Sequence, residues 1–337
     1  MTALELTASR SDPDAIEAAA ARGRPAVAVE VPTLLLIAAT YAGWIALTSA
    51  YARWPLIIVA ICTAALVTLH SSVQHEIVHG HPTRWLALNR LLGMVPLSLW
   101  LPFERYRTLH RLHHNDARLT DPIDDPESFY WTAADFARVS PYMRVVLRAQ
   151  QTLAGRLLIG SWRGIGIFWA GEWRALRANV PGVRRVWIEH LLWCIPVILW
   201  ITVVCRIPLW VYFGAVVLPA NGLMLVRSFA EHRARPDVPT RIAIVEDSWI
   251  LGPLFLFNNL HALHHEAPSV PWYSYPARYR RIRARLIKEN GGLVYTSYFD
   301  VARRYLFRAH DQLQHPTDRV PLMSGTRAQP SAQAGSA

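Results

Sequence analysis

PLIIVAICTAALVTLHSSVQHEIVHGHP, residues 55–82, decides how this chain is read. Residues 55–73 are almost wholly apolar and long enough to cross the hydrocarbon core of a bilayer as one helix. The same stretch runs straight into HEIVH at 75–79. Residues four apart on a helix share a face, so His75 and His79 point together. A membrane span therefore ends in paired imidazoles, the commonest metal-binding side chains. Just upstream, VPTLLLIAATYAGWIALTSA (31–50) is apolar over a second bilayer length. With a short turn at 51–55, the two stretches predict a hairpin whose returning arm carries a histidine box.

Downstream the pattern repeats. Residues 85–103 are apolar but broken by Gly93, Pro96 and Pro102, as expected of a re-entrant or interfacial segment. HRLHH follows at 110–114, and then NDARLTDPIDDPES (115–128), whose Asp and Ser residues read as turns and helix caps. Residues 142–186 mix Arg with Leu, Ile and Trp, the composition of a helix lying flat in the interface. Residues 187–204 and 207–226 form a second pair of spans, followed by RSFAEHR (227–233). The apolar stretch 249–260 is too short to span, and HALHH (261–265) follows it. Residues 1–29 read as a flexible tail, 30–315 as one membrane domain and 316–337 as a disordered tail.

Composition agrees. Hydrophobic residues make up 52% of the chain and charged residues only 18%, with 14 tryptophans. The formal charge of +11 is carried by arginine, Lys288 being the only lysine. The arginines lie among apolar segments and no recognition module is present, so nucleic acid is not a partner of this sequence. Two hairpins put both termini and all the histidine boxes on one face, where most of the arginines also fall. The positive-inside rule makes that face cytosolic. The expected fold is all-α: an integral membrane protein with four transmembrane helices in two hairpins and a cytosolic helical cap carrying the boxes. The first thirty residues lack the apolar core of a secretory signal. Cys62, Cys194 and Cys205 form no CxxC, which argues against an internal rubredoxin-like or iron–sulfur centre.

The candidate metal ligands are His75, His79, His110, His113, His114, His261, His264 and His265, with His232 as a ninth at the cytosolic end of the fourth span. On a helix, i, i+3 and i+4 share one face, so each HxxHH is expected to aim three imidazoles at one point. These imidazoles are too many for one ion, and two metals follow. Imidazole suits Fe, Zn, Cu and Ni alike. No catalytic residue is expected beyond the metal site, and no organic cofactor motif is visible. His70 lies deeper in the span on another face, and His81 lies past the helix end; their membership stays open. Glu76, Glu104, Asp116, Glu231 and Glu266, with Asp121, Asp124, Asp125 and Glu127, are candidates to orient the rings. Asn258 and Asn259 read as structural caps, with an oxygen ligand or a water anchor as the alternative. Arg105, Arg107 and Arg111 read as contacts for lipid phosphate or an anionic head.

HEIVHGHP, RYRTLHRLHHN, DPIDDPES, RSFAEHR and NNLHALHHEAPSVPWY together resemble the membrane fatty acid desaturase/hydroxylase superfamily, over about residues 30–310. The three residues between His75 and His79 are closer to bacterial and sphingolipid-type desaturases than to acyl-CoA desaturases. The resemblance implies two Fe ions on the histidine boxes, O2 as co-substrate and attack on an unactivated C–H bond. It implies desaturation of a fatty acyl or other lipid chain, with hydroxylation or ketone formation as the alternative. The reductant is then a separate ferredoxin, rubredoxin or cytochrome-type donor with its reductase. The bilayer supplies the lipid-like substrate, and a bacterial inner membrane is the expected location. Two rivals stand beside this reading. HExxH is also a zinc-protease signature, with Glu76 as general base. A histidine-rich metal carrier is the other, but its spans would need polar groups through the bilayer.

Overall fold

The computed structural model describes residues 29–114 and 116–317, the side chain of Asp116 excepted. The tails read over 1–29 and 316–337 thus lie outside the described residues, apart from Val29, Pro316 and Thr317, as does the contribution of Asp116.

Four helices are long and apolar enough to cross a membrane: α1 (Val31–Ser49), α2 (Leu56–Val78), α7 (Val183–Val204) and α8 (Leu209–Glu231). The longest, at 23 residues, reach about 35 Å at a rise of 1.5 Å per residue. Proline sets the starts of three of them. It stands in the first turn of α1 and at the N-caps of α2 and α8, where its missing N–H costs nothing. Each span is one-sided. Ile57, Ile61, Leu191, Ile195 and Val203 stay exposed, a row that water would penalise and lipid tails accept. Inward, Trp44, Val67, Val197, Ile201, Val217 and Ala220 form one buried cluster that joins the two hairpins.

Both later spans are longer on the box side than hydropathy predicts, starting at Val183 and ending at Glu231. The added turn at 183–186 carries the exposed Arg184 and Arg185, whereas in 227–231 the charges pair internally, Arg227 with Glu231 at 2.8 Å. Just inside the third span, Glu189 accepts from Arg90.

The broken segment 85–103 is re-entrant. A short helix, α3 (Leu86–Gly93), gives way to irregular backbone that dips between the spans. Leu97 is 1% exposed and packs in the inter-hairpin cluster. Buried polar backbone there needs partners from the protein, since lipid offers none. The spans supply them. Tyr212 donates its hydroxyl to the Leu97 carbonyl at 2.8 Å and accepts from Trp44 Nε1 at 2.9 Å. His190 Nε2 donates to the Leu99 carbonyl at 2.9 Å. Replacing Tyr212 with phenylalanine orphans one carbonyl and one indole N–H. The expected cost is about 1–3 kcal/mol, read as a lower Tm of detergent-solubilised protein. A Tm unchanged from wild type would refute this accounting.

The cap is built from α4 (Phe103–His113), α5 (Pro141–Gln150), α6 (Ser161–Arg177), α9 (His261–Glu266), α10 (Tyr275–Glu289) and α11 (Tyr298–Tyr305). Trp162 and Trp173 of α6 are exposed, as an interfacial helix requires. A two-stranded parallel sheet, β1 (Ile244–Val245) with β2 (Val294–Tyr295), ties the segment after α8 to the one after α10. These four residues are the only paired strands among the described residues and leave the all-α class intact. The stretch 249–260 does not span: Trp249 and Ile250 stay exposed and most of the rest is buried. It folds into the cap, where Ser72 of α2 donates to the Leu254 carbonyl.

Candidate metal centre

Nine histidines meet in two groups beneath the cap. His75, His79, His110, His114 and His264 form one; His113, His232, His261 and His265 form the other. Within each group the ligand atoms lie within 4.8 Å of one another. These are the nine histidines expected from sequence, but their distribution is not the expected one.

Neither HxxHH aims three rings at one point. The first sends His110 and His114 to the five-membered group and His113 to the four-membered group. The second does the reverse, sending His261 and His265 to the four and His264 to the five. Helical geometry explains the split. At about 100° per residue, i and i+4 are only about 40° apart, whereas i+3 and i+4 diverge by about 100°. An HxxHH helix lying between two centres therefore serves both. His75 precedes the end of α2 by one turn and His79 is its C-cap, while His232 is the C-cap of α8. The two spans thus deliver three of the nine rings to fixed depth.

The ring edges carry chemical information. Nε2 of His110 lies 3.1 Å from that of His79 and 3.0 Å from that of His114, which is 3.0 Å from that of His264. In the second group the corresponding separations are 3.1 Å for His113–His232, 2.9 Å for His232–His261 and 3.1 Å for His261–His265. With metal–nitrogen bonds of about 2.1 Å, ligands at right angles are about 3.0 Å apart and tetrahedral ligands about 3.4 Å. The edges therefore fit five- or six-coordinate centres better than tetrahedral zinc.

The outer nitrogens are held from behind. His110 Nδ1 donates to Glu127 at 2.8 Å and His113 Nδ1 to Asp125 at 2.9 Å. His264 Nδ1 donates to the Tyr275 hydroxyl, which itself donates to the Ala267 carbonyl. His261 Nδ1 donates to Asn258 Oδ1 and lies 3.3 Å from Glu231. Each such bond puts the proton on Nδ1 and leaves the Nε2 lone pair facing its neighbours. Lone pairs crowded at 3 Å repel unless a cation sits among them, so the donor set fits a metal ion in each group.

Electrostatics agree for the rings other than His113. Burial pushes His79, His114, His232, His261 and His264 well below the usual imidazole range, which keeps them neutral and able to ligate. Burial also lowers His110, with Glu127 partly opposing it. For His113 burial is outweighed by Glu127 and Asp125, and its pKa is raised to about 9. Burial acts to raise Glu127, but His113 and His110 hold it below the usual carboxylate range.

Other sequence candidates sort clearly. His70 turns to Tyr41 and His81 to Glu30, both away from the two groups. Glu76 accepts the Trp272 N–H and stands 4.0 Å from Nδ1 of His75, behind the ring. Glu104 pairs with Arg90 and Arg107, Glu266 with Arg285 and Asp124 with Arg118; Asp121 caps the turn at Ile123. The Arg105 guanidinium is engaged by Glu172, and Arg111 donates to the Val78 carbonyl. Asn259 is structural, donating to the Val245 carbonyl. Asn258 is not a simple cap, because its amide nitrogen lies 3.4 Å from Nε2 of His75 while its oxygen serves His261. It touches one ring from each group. Tyr275 was not foreseen, since a tyrosine ten residues past a histidine box has no spacing signal.

Four spans, a re-entrant loop and nine histidines in two groups define a membrane protein with two candidate metal sites. Residues 51–299 match the family described as fatty acid desaturase, about three quarters of the chain, and the chain belongs to that family. It is therefore a lipid desaturase/hydroxylase-type oxidoreductase. No curated protein matches the chain.

Proposed function

We propose that the chain is an O2-dependent diiron oxidoreductase that desaturates the alkyl chain of a fatty acyl group or another lipid. The observation that carries this reading is the pair of imidazole groups whose neighbouring Nε2 atoms stand 2.9–3.1 Å apart. Two irons, when bound by the five and the four histidines, would supply the power to activate dioxygen against an unactivated C–H bond. The protein's share is orientation and exclusion. Glu127, Asp125, Asn258 and Tyr275 fix the rings from behind, and burial of the site keeps bulk water from it. The spans beneath are apolar, so an alkyl chain is the substrate portion they accept. Electrons come from a separate ferredoxin, rubredoxin or cytochrome-type donor with its reductase.

The zinc-protease alternative is disfavoured by the same geometry. Glu76 faces the back of His75 rather than the Nε2 side, where a general base would have to act on bound water.

The test is product analysis. With ferredoxin and its reductase co-expressed, total lipids are compared by mass spectrometry against a His264→Ala control. A product lighter by two hydrogens is expected. A product heavier by one oxygen would convert the reading to hydroxylase, and no change in any lipid class would refute a lipid substrate.

The proposed location is a bacterial inner membrane, with the cap cytosolic because the arginines collect there. Reporter tags at residue 1, within 130–186 and at residue 337 should then read cytosolic, and one at Arg53 should read the opposite side. A non-cytosolic signal from 130–186 would overturn the orientation.

A further inference from the structure

Residues 309–317 lie beyond the family match and beyond the last cap helix, yet they run back across the cap to the loop that backs the second box. His310 anchors the start of this strap: its N–H donates to the Gln151 carbonyl and its ring accepts from the Tyr295 hydroxyl. Asp311 accepts from the Tyr130 hydroxyl at 2.7 Å. Tyr130 in turn accepts the N–H of Ala234, two residues beyond His232. Trp131 and the strap exchange two backbone bonds, Trp131 N–H to Leu313 and His315 N–H to Trp131.

His315 closes the strap. It is 5% exposed. Its Nδ1 accepts from Thr317, which leaves Nε2–H to donate to the Thr120 hydroxyl at 3.0 Å. Thr120 has φ +65°, a left-handed conformation that a β-branched residue adopts only under constraint. In that conformation its N–H donates to Asp125 Oδ2 at 2.8 Å, while Asp125 Oδ1 accepts from His113 Nδ1 at 2.9 Å. An unbroken series of hydrogen bonds therefore runs from His315 through Thr120 and Asp125 to His113. Two ligands of the four-histidine group, His113 and His232, hang from one strap. His110 hangs from it less directly, through Glu127 of the same loop.

We propose that His315 is a positioning residue for the four-histidine centre: by holding Thr120 in its left-handed conformation it fixes Asp125, and through it the ring of His113. This rests on the reading that each histidine group holds one ion. Loss of an outer partner of a metal ligand typically lowers affinity by 10–100-fold. His315→Ala should lower affinity at the four-histidine centre by about tenfold, at the low end of that range, and leave the five-histidine centre near wild type. His315→Gln, whose amide nitrogen reaches where Nε2 stands, should restore most of it.

The experiment uses the full-length protein in detergent. Iron is titrated against a competing chelator and amide hydrogen exchange is measured by mass spectrometry. His315→Ala should retain one iron per chain where wild type retains two, and peptides covering 119–131 should lose protection while those from α2 and α10 do not. His315→Gln should resemble wild type in both. The proposal is overturned if His315→Ala keeps both irons and normal protection of 119–131. It is equally overturned if protection is lost uniformly and both irons go together, which would make His315 a general stability residue. A wild type without metal would defeat the two-ion reading instead, and exchange at 119–131 in His315→Ala unchanged from wild type would still sink the strap.

Discussion

Alanine in place of His264 is expected to empty one centre, and alanine in place of its neighbour His265 the other. His264 Nε2 joins His114 in the five-histidine group, and His265 Nε2 joins His261 in the four-histidine group. One step of about 100° around α9 separates the two destinations. Each variant should therefore hold about one iron where wild type holds two, and the losses should be complementary in spectroscopy. His265→Ala should be the more severe, since it leaves three imidazoles where His264→Ala leaves four. Activity should vanish in both, because the proposed reaction would draw on both ions. His113→Ala and His114→Ala should repeat the pattern on α4. If adjacent substitutions deplete the same centre, the partition of ligands between the two groups is wrong. Near-wild-type circular dichroism would show that the loss is not unfolding.

Removing the Asp125 carboxylate should cost the fold as well as the site. Asp125 is buried and accepts three N–H groups, from Thr120, from Glu127 and from His113 Nδ1. Bonds to a charged acceptor are worth about 1.5–3 kcal/mol each and do not add fully, so Asp125→Ala should destabilise by about 3–5 kcal/mol. Asp125→Asn separates the two roles. Its amide oxygen can still accept backbone N–H groups, but its NH2 must face one of the former donors. The expected result is a folded protein whose four-histidine centre binds metal about 10–100-fold more weakly, measured by chelator competition. Wild-type affinity in Asp125→Asn would show that the carboxylate does not orient His113.

Features that depend on local periodicity were legible in the sequence. Apolar runs located the four spans, histidine spacing located eight of the nine clustered rings, and the end of the fourth span located His232. Two proline-marked breaks located the re-entrant segment. Span ends were less legible because Glu189, Arg227 and Glu231 lower local hydropathy, while the helix tolerates them through ion pairs that sequence does not reveal. Arg105 looked free for a lipid phosphate because its carboxylate partner, Glu172, lies 67 residues away. The acidic run 115–128 looked like turn chemistry, and among its described residues 119–128 are mostly turns. Asp125 caps the loop and orients His113 with the same carboxylate, and spacing cannot separate these two duties. The division of each HxxHH between two centres was hidden for another reason. Residues on one helix face look equivalent until a second target is placed beside the first.

The re-entrant loop also constrains the order of assembly. Its Leu97 carbonyl is satisfied by Tyr212, 115 residues later, and its Leu99 carbonyl by His190, 91 residues later. When the ribosome has delivered α1, α2 and the loop, neither partner has yet been made. Unpaired carbonyls are costly in hydrocarbon, so the loop has no stable seat until the second hairpin arrives. Box two follows the loop directly and shares its delay. The first hairpin can insert alone, but the residues that build the histidine cage come into register only as the last span docks. Chains truncated before that point expose a half-made site, which gives membrane quality control a natural point at which to distinguish finished molecules from incomplete ones.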